Sequence, residues 1–297
     1  MIFDEKYKAT DIGYINVRDA KDDFCIKERE YTEALWEKFK GYSDSNFLKE
    51  IRVDFDARYW EMYLAVSLFN EKWKVECPKP GPDVALNLNG SAKLWIEAIA
   101  PSGGTSKNPD KVHGIKPGVI QGISDEGIIL RLRNAIEEKY KTKYLKYRDK
   151  NTVSENDPYI IAINTSKMDS AHIEMHIPRI VKSVLPFGYA QLTKNPHNPE
   201  KFIESTTYRD NIKKKNGVEI STDIFLKSEY EGLSGVLCSN VSFGRRPNKM
   251  GEDYILVHNP NAKNPCPHGL LGIGMEYTVE LSTDKIELSQ KDWNTRN

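Results

Sequence analysis

The sequence predicts an α/β protein, a mixed central sheet flanked by helices in the order helix, strand, strand, strand, helix, strand. Three observations carry that expectation. Phe55, Tyr59, Met62, Val66 and Phe69 recur at spacings of 4, 3, 4 and 3, the repeat of one buried helical stripe. Short strand-like runs flank the turn-forming Asn89-Gly90, as in a hairpin. The run YIIAIN at Tyr159–Asn164 is apolar almost throughout, as in a strand covered on both faces.

In chain order, residues 1–50 are expected to form an accessory helical layer, with a helix over 27–40 that ends at Gly41. A core over 54–164 begins with a helix over about 54–71, followed by strands over 73–76, 83–88 and 93–100. Residues 101–123 are rich in Gly, Ser, Pro and Lys without apolar periodicity; they predict a long loop beside the strand ends, placed to act as a lid. A helix over 126–148 turns Ile129, Leu132, Ile136, Tyr140 and Tyr144 inward and is basic in its second half. Residues 165–297 then extend the sheet. A helix is expected over 177–185, strands over 235–241 and 254–258, and an edge strand at Met275–Leu281. One domain with elaborations is the expected organisation.

Composition narrows the function classes. Lys plus Arg equals Asp plus Glu at 43 each, so no global field attracts a polyanion and any nucleic-acid surface must be local. Mean hydropathy is -0.60, ordinary for a soluble protein with a charged surface. No stretch approaches the roughly 18 to 20 apolar residues of a membrane span, and residues 1–8 lack the order of a secretory signal. A cytoplasmic protein that avoids membranes is expected. Cys25, Cys77, Cys238 and Cys266 form no CxxC pair and read as free thiols.

The chemistry concentrates in residues 80–101. Asp83 follows Pro82, and Glu97 lies fourteen positions later on the next strand. A three-residue loop, Asn89-Gly90-Ser91, sets the two carboxylates opposite each other, about 5 Å apart at Cβ. A two-residue loop would turn them to opposite faces. Close carboxylates repel unless protonated or neutralised, and a hard divalent cation, Mg²⁺ or Mn²⁺, is the usual remedy. Glu61 supplies a third acid. Its helical neighbours Ala57, Leu64, Ala65 and Leu68 are small or apolar, so its charge needs a cation or a basic partner.

Helix-borne Glu61, Pro82-Asp83 at a strand start, Glu97-Ala98-Ile99 on the following strand, then a basic helix and a buried strand: over residues 54–164 this order resembles the PD-(D/E)XK nuclease superfamily. The resemblance implies a restriction-endonuclease-like core, here with N-terminal helical and C-terminal strand-rich elaborations. It implies that Asp83 and Glu97 bind metal and that Glu61 assists. It further implies hydrolysis of DNA or RNA phosphodiesters, and in many such nucleases a homodimer. The family's lysine, two positions after the strand glutamate, is replaced by Ile99. Lys139 or Arg131, on one face of the following helix, is expected to take its role. Lys93 shares the face of Glu97 but lies about 13 Å along the strand. The alternative is a catalytically degenerate member that binds nucleic acid or protein.

Other motifs read more plainly. His172, Glu174 and His176 lack the HExxH spacing of a zinc helix and predict surface or packing histidines. His258 and Cys266-Pro267-His268 lie in Pro- and Asn-rich loops, and a Cys–His hydrolase there is a third, weaker reading. Lys213-Lys214-Lys215 and Arg245-Arg246 read as solvated loop charges. The basic run from Lys139 to Arg148, interleaved with Tyr140, Tyr144 and Tyr147, reads as a surface beside the acidic residues.

Overall fold

In the computed structural model, which describes residues 1–88, 92–283 and 285–295, the N-terminal layer comprises α1 (Ile12–Arg18), α2 (Asp23–Phe39) and α3 (Phe47–Glu50). Helix α2 starts earlier than its apolar residues indicate, because the Asp22 side chain accepts the Cys25 N–H and caps it. Next comes α4 (Phe55–Asn70), capped by Asp54. The expectation of a single buried stripe is corrected here: every residue from Tyr59 to Leu68 is buried. The helix is sandwiched. On one side Trp60 Nε1 donates to Ala162 O in the sheet at 3.1 Å; elsewhere on the helix Tyr63 accepts the Gly251 N–H at 3.0 Å, and α2 packs alongside.

Then follow β1 (Val75–Glu76), β2 (Val84–Asn87), β3 (Lys93–Ile99) and α5 (Asp125–Lys139). Helix α5 runs through a π-helical turn, Tyr140–Tyr144, into α6 (Leu145–Asp149). The extra residue of a π turn shifts the helical phase, and the Tyr140 and Tyr144 rings stack inward with centroids 4.9 Å apart. After β4 (Tyr159–Asn164), fully buried as its sequence indicates, comes the short α7 (Arg179–Val184).

The C-terminal part comprises β5 (Phe187–Asn195), β6 (Asn198–Tyr208), β7 (Asn211–Lys213), β8 (Glu219–Ser221), β9 (Gly235–Ser239), β10 (Ile255–His258), β11 (Met275–Leu281) and β12 (Ile286–Asp292). Eight strands form one mixed sheet in the order β1-β2-β3-β4-β9-β10-β11-β12. Strands β3, β4 and β9 run parallel, as do β10 and β11; the remaining neighbours are antiparallel. Met275–Leu281 is therefore an inner strand, because β12 pairs along its full length and forms the edge. The β5–β6 hairpin, outside this sheet, has no counterpart in the sequence expectation.

The β2–β3 register pairs Val84 with Ile96 and Asn87 with Lys93, the register of a three-residue connection. Asn89, Gly90 and Ser91 themselves lie outside the described residues. Alternation along β3 sends Leu94, Ile96 and Ala98 into the layer with α4, and Trp95 and Ile99 into the layer with α5. Glu97 thus belongs to the α5 face. Among the described residues no helix is long and apolar enough to cross a membrane.

Candidate acidic site

Asp83 directly precedes β2. Its Oδ2 accepts the Ala98 N–H at 2.8 Å, which fixes the carboxylate across the hairpin beside Glu97. The segment carrying it is held from outside: Tyr147 donates its hydroxyl to Gly81 O at 2.9 Å. Burial, then the charges of Glu97 and Asp83, push the Tyr147 phenol up, so this ring borders the site. Asp157 ties the neighbouring strand starts together, accepting from Lys93 N at 3.2 Å and Trp95 Nε1 at 2.9 Å.

Glu97 is 3% exposed, and its partner comes from the end of α5: Lys139 Nζ donates to Glu97 Oε1 at 2.7 Å. Burial and then the Asp83 charge push the Glu97 carboxyl above its ordinary value, while Lys139 opposes both. Arg131, the other cation expected on this face of α5, makes no ion pair with Glu97, whose partner is Lys139. Arg131 instead donates through Nε to Ser102 O at 2.8 Å, holding the start of the long 101–123 loop. Lys93 pairs away from the site, with Glu76 at 2.6 Å.

Glu61 reaches the site from the opposite layer and is 4% exposed. Its face is not wholly small and apolar as its other neighbours imply, because Arg58, one turn earlier, pairs with Glu61 Oε2. Lys79 Nζ stands 3.8 Å from Glu61 Oε1, 3.9 Å from Asp83 Oδ1 and 3.7 Å from Asp44 Oδ2. Burial first, and the Asp83 charge second, push the Glu61 carboxyl up to about 7, with Arg58 and Lys79 pulling the other way. Burial draws the Lys79 ammonium down, yet Glu61, Asp83 and Asp44 outweigh it and raise it.

Asp83 is the shared member: it acts on Glu61 and on Glu97. The acids form a chain through Asp83 rather than three ligands around one point. In keeping with this, the three-residue group whose ligand atoms all lie within 4.8 Å of one another, among the described residues, is a different one, His258, His268 and Glu276. Arg58, Lys79 and Tyr147 complete the acidic site. Arg58 was legible as the residue one turn before Glu61, and Lys79 as the lysine one turn's length before Asp83 in KPGPD.

The remaining motifs behave as charges and packing. Residues 171–178 form no helix; His172 contacts Asp169 O at 2.6 Å and His176 pairs with Glu204. Arg246 is no free loop charge, since its guanidinium clamps Glu28 at 2.6 and 2.7 Å and lies over the Tyr31 ring. All four cysteines are free. Cys266 Sγ lies 3.6 Å from His258 Nδ1, but burial pushes its thiol up, the reverse of an activated nucleophile. The chain has no significant match to a family model, a curated protein or a solved structure.

Proposed function

We propose that the acidic site is the centre of a divalent-metal phosphodiesterase acting on DNA or RNA, built on a restriction-endonuclease-like core. The element order α4, β1, β2, β3, α5, β4, with β3 and β4 parallel, supports that reading of the core. The observation that carries the activity is Lys139 Nζ at 2.7 Å from Glu97 Oε1. It places an ammonium from α5 where Ile99 leaves the strand without one.

Asp83 and Glu97 fit Mg²⁺ or Mn²⁺: both offer hard oxygens, and mutual repulsion at Glu97 is what a cation relieves. Bound there, the ion supplies charge stabilisation at the phosphoryl oxygens and a more acidic water. The chain's own groups do the rest. Ala98 N–H orients the Asp83 carboxylate, Lys139 positions the attacking water or the leaving phosphate, and Glu61 supports Asp83 through Lys79.

The test is cleavage of single- and double-stranded DNA and RNA with Mg²⁺ or Mn²⁺. Asp83→Ala and Glu97→Ala should each lower the rate by at least about a hundredfold, the scale of losing a principal electrostatic contributor. Wild-type rates in either variant would refute the assignment.

A second reading rests on the same contacts: Arg58, Lys79 and Lys139 already pair with the acids, as in a degenerate member that binds without turnover. Titration separates the two. Mg²⁺ or Mn²⁺ binding accompanied by cleavage supports the enzyme; nucleic-acid or protein binding indifferent to metal supports the module.

A further inference from the structure

Strands β10 and β11 are parallel neighbours, and parallel neighbours need a crossover, usually helical. Here the crossover, residues 259–274, contains neither helix nor strand. Three metal-binding residue types meet along it. His258 ends β10, Glu276 is the second residue of β11, and His268 lies between them in the crossover. One ligand atom from each lies within 4.8 Å of the others.

The geometry is selective. His258 is buried, and among the described residues its Nε2 makes no close hydrogen bond. That nitrogen faces Glu276 Oε2 at 3.5 Å, long for a hydrogen bond. Two ligands about 2.0–2.1 Å from one tetrahedral ion lie about 3.4 Å apart, so the observed spacing suits a single ion between them. The opposite nitrogen, Nδ1, rests 3.6 Å from Cys266 Sγ, a contact that orients the ring with Nε2 toward Glu276. The Gly269 N–H reaches both Glu276 oxygens at 2.9 and 3.0 Å, fixing the carboxylate. The His268 ring lies beside that of His258, with centroids 4.5 Å apart.

We propose that His258, His268 and Glu276 form a zinc site that fastens the β10–β11 crossover, separate from the acidic centre. Two imidazole nitrogens and one carboxylate oxygen are a borderline donor set of the kind zinc takes. Mg²⁺ and Ca²⁺ favour all-oxygen sites and fit poorly. Three protein ligands would leave a fourth position for a water, and His258 and His268 line a cavity of about 300 Å³ together with Ser234, Asn259 and Thr278.

The experiment uses the full chain stripped with a chelator and titrated with Zn²⁺. The wild type should bind one equivalent and gain thermal stability, and Co²⁺ in its place should give the visible absorption of a tetrahedral site. His268 is exposed, so His268→Ala should fold and weaken Zn²⁺ binding at least about tenfold, since even residues outside the ligand set are worth that much. Glu276→Gln should do the same, and Asp83→Ala should leave binding unchanged. Binding that survives both ligand variants, or that is lost in Asp83→Ala alone, overturns the proposal, as does a wild type that takes up no zinc.

Discussion

Two regions of the sheet bury a carboxylate and answer its cost differently. At the acidic site, burial is the largest influence on Glu61 and Glu97; the neighbouring Asp83 adds to it and both carboxyls rise. At the β10–β11 crossover, burial is again the largest influence on Glu276. There the His258 ring, the Gly269 N–H and the Trp293 indole outweigh it and hold the carboxyl below its ordinary value. The partners differ in kind. Glu61 and Glu97 meet arginine and lysine, whose long side chains can withdraw when another cation arrives. Glu276 meets an imidazole and a backbone amide, which are fixed by the fold. One region is an anionic pocket under strain from its own charges, and the other is a preorganised donor set.

The sharpest way to break that contrast is to remove the ammonium that steadies Glu97. Lys139→Met leaves a buried carboxylate unpaired, which costs about 3 kcal/mol at about pH 8. Without Lys139 the Glu97 carboxyl, already raised by burial and Asp83, rises further. The folded variant then holds a proton that the unfolded chain has released, so its deficit against wild type shrinks as pH falls. Urea unfolding at about pH 8 and about pH 5 checks this, and an equal loss at both would show that the lysine contributes packing alone.

Glu61→Gln tests the same physics at a smaller scale. With a folded value of about 7 against an ordinary 4.5, folded Glu61 keeps its proton in that window while the unfolded chain has lost it. Wild-type stability should therefore fall as pH rises from about 4.5 to about 7 and level off above. Glutamine removes this slope, so the variant gains on wild type by on the order of 2 kcal/mol between about pH 5 and pH 8. A difference between the two that does not move with pH would place Glu61 in the ordinary carboxylate range.

Much of the acidic region was legible because it rests on local rules. Alternation and turn length set Asp83 beside Glu97, and helical spacing turned Leu132 and Ile136 into the core under the sheet, although Ile128 rather than the expected Ile129 joins them there and Ile129 packs on Ile212 instead. The buried run Tyr159–Asn164 kept its boundaries. What escaped depends on contacts between distant segments or on breaks in periodicity. Lys79 finds Glu61 only once a loop folds over α4. Tyr147 meets Gly81 beyond a π turn that rephases the helix. The crossover cluster escaped because His258, His268 and Glu276 share no periodic element; parallel pairing of two strands brings them together. The face of α4 was read too simply for another reason, since a stripe of large apolar residues draws attention from Trp60 and Tyr63, which are buried on other sides.

Helical periodicity leaves one pair of residues equivalent that the fold distinguishes. Arg131 and Lys139 lie eight positions apart on α5, and at the rise of an α-helix that is about 12 Å. Lys139 lies against Glu97, whereas the half-buried Arg131 donates to the carbonyl of Ser102 in a bond open to solvent. Arg131→Ala therefore removes one solvent-competed hydrogen bond and should cost no more than about 1 kcal/mol. Its deficit should stay constant between about pH 5 and pH 8, because no displaced carboxyl is left behind. Unfolding of this variant beside Lys139→Met isolates position along the helix from charge. If Arg131→Ala shows the same acid-dependent recovery, then the guanidinium field reaches Glu97 across two turns of helix, and the acidic region is a diffuse electrostatic network rather than a set of direct ion pairs.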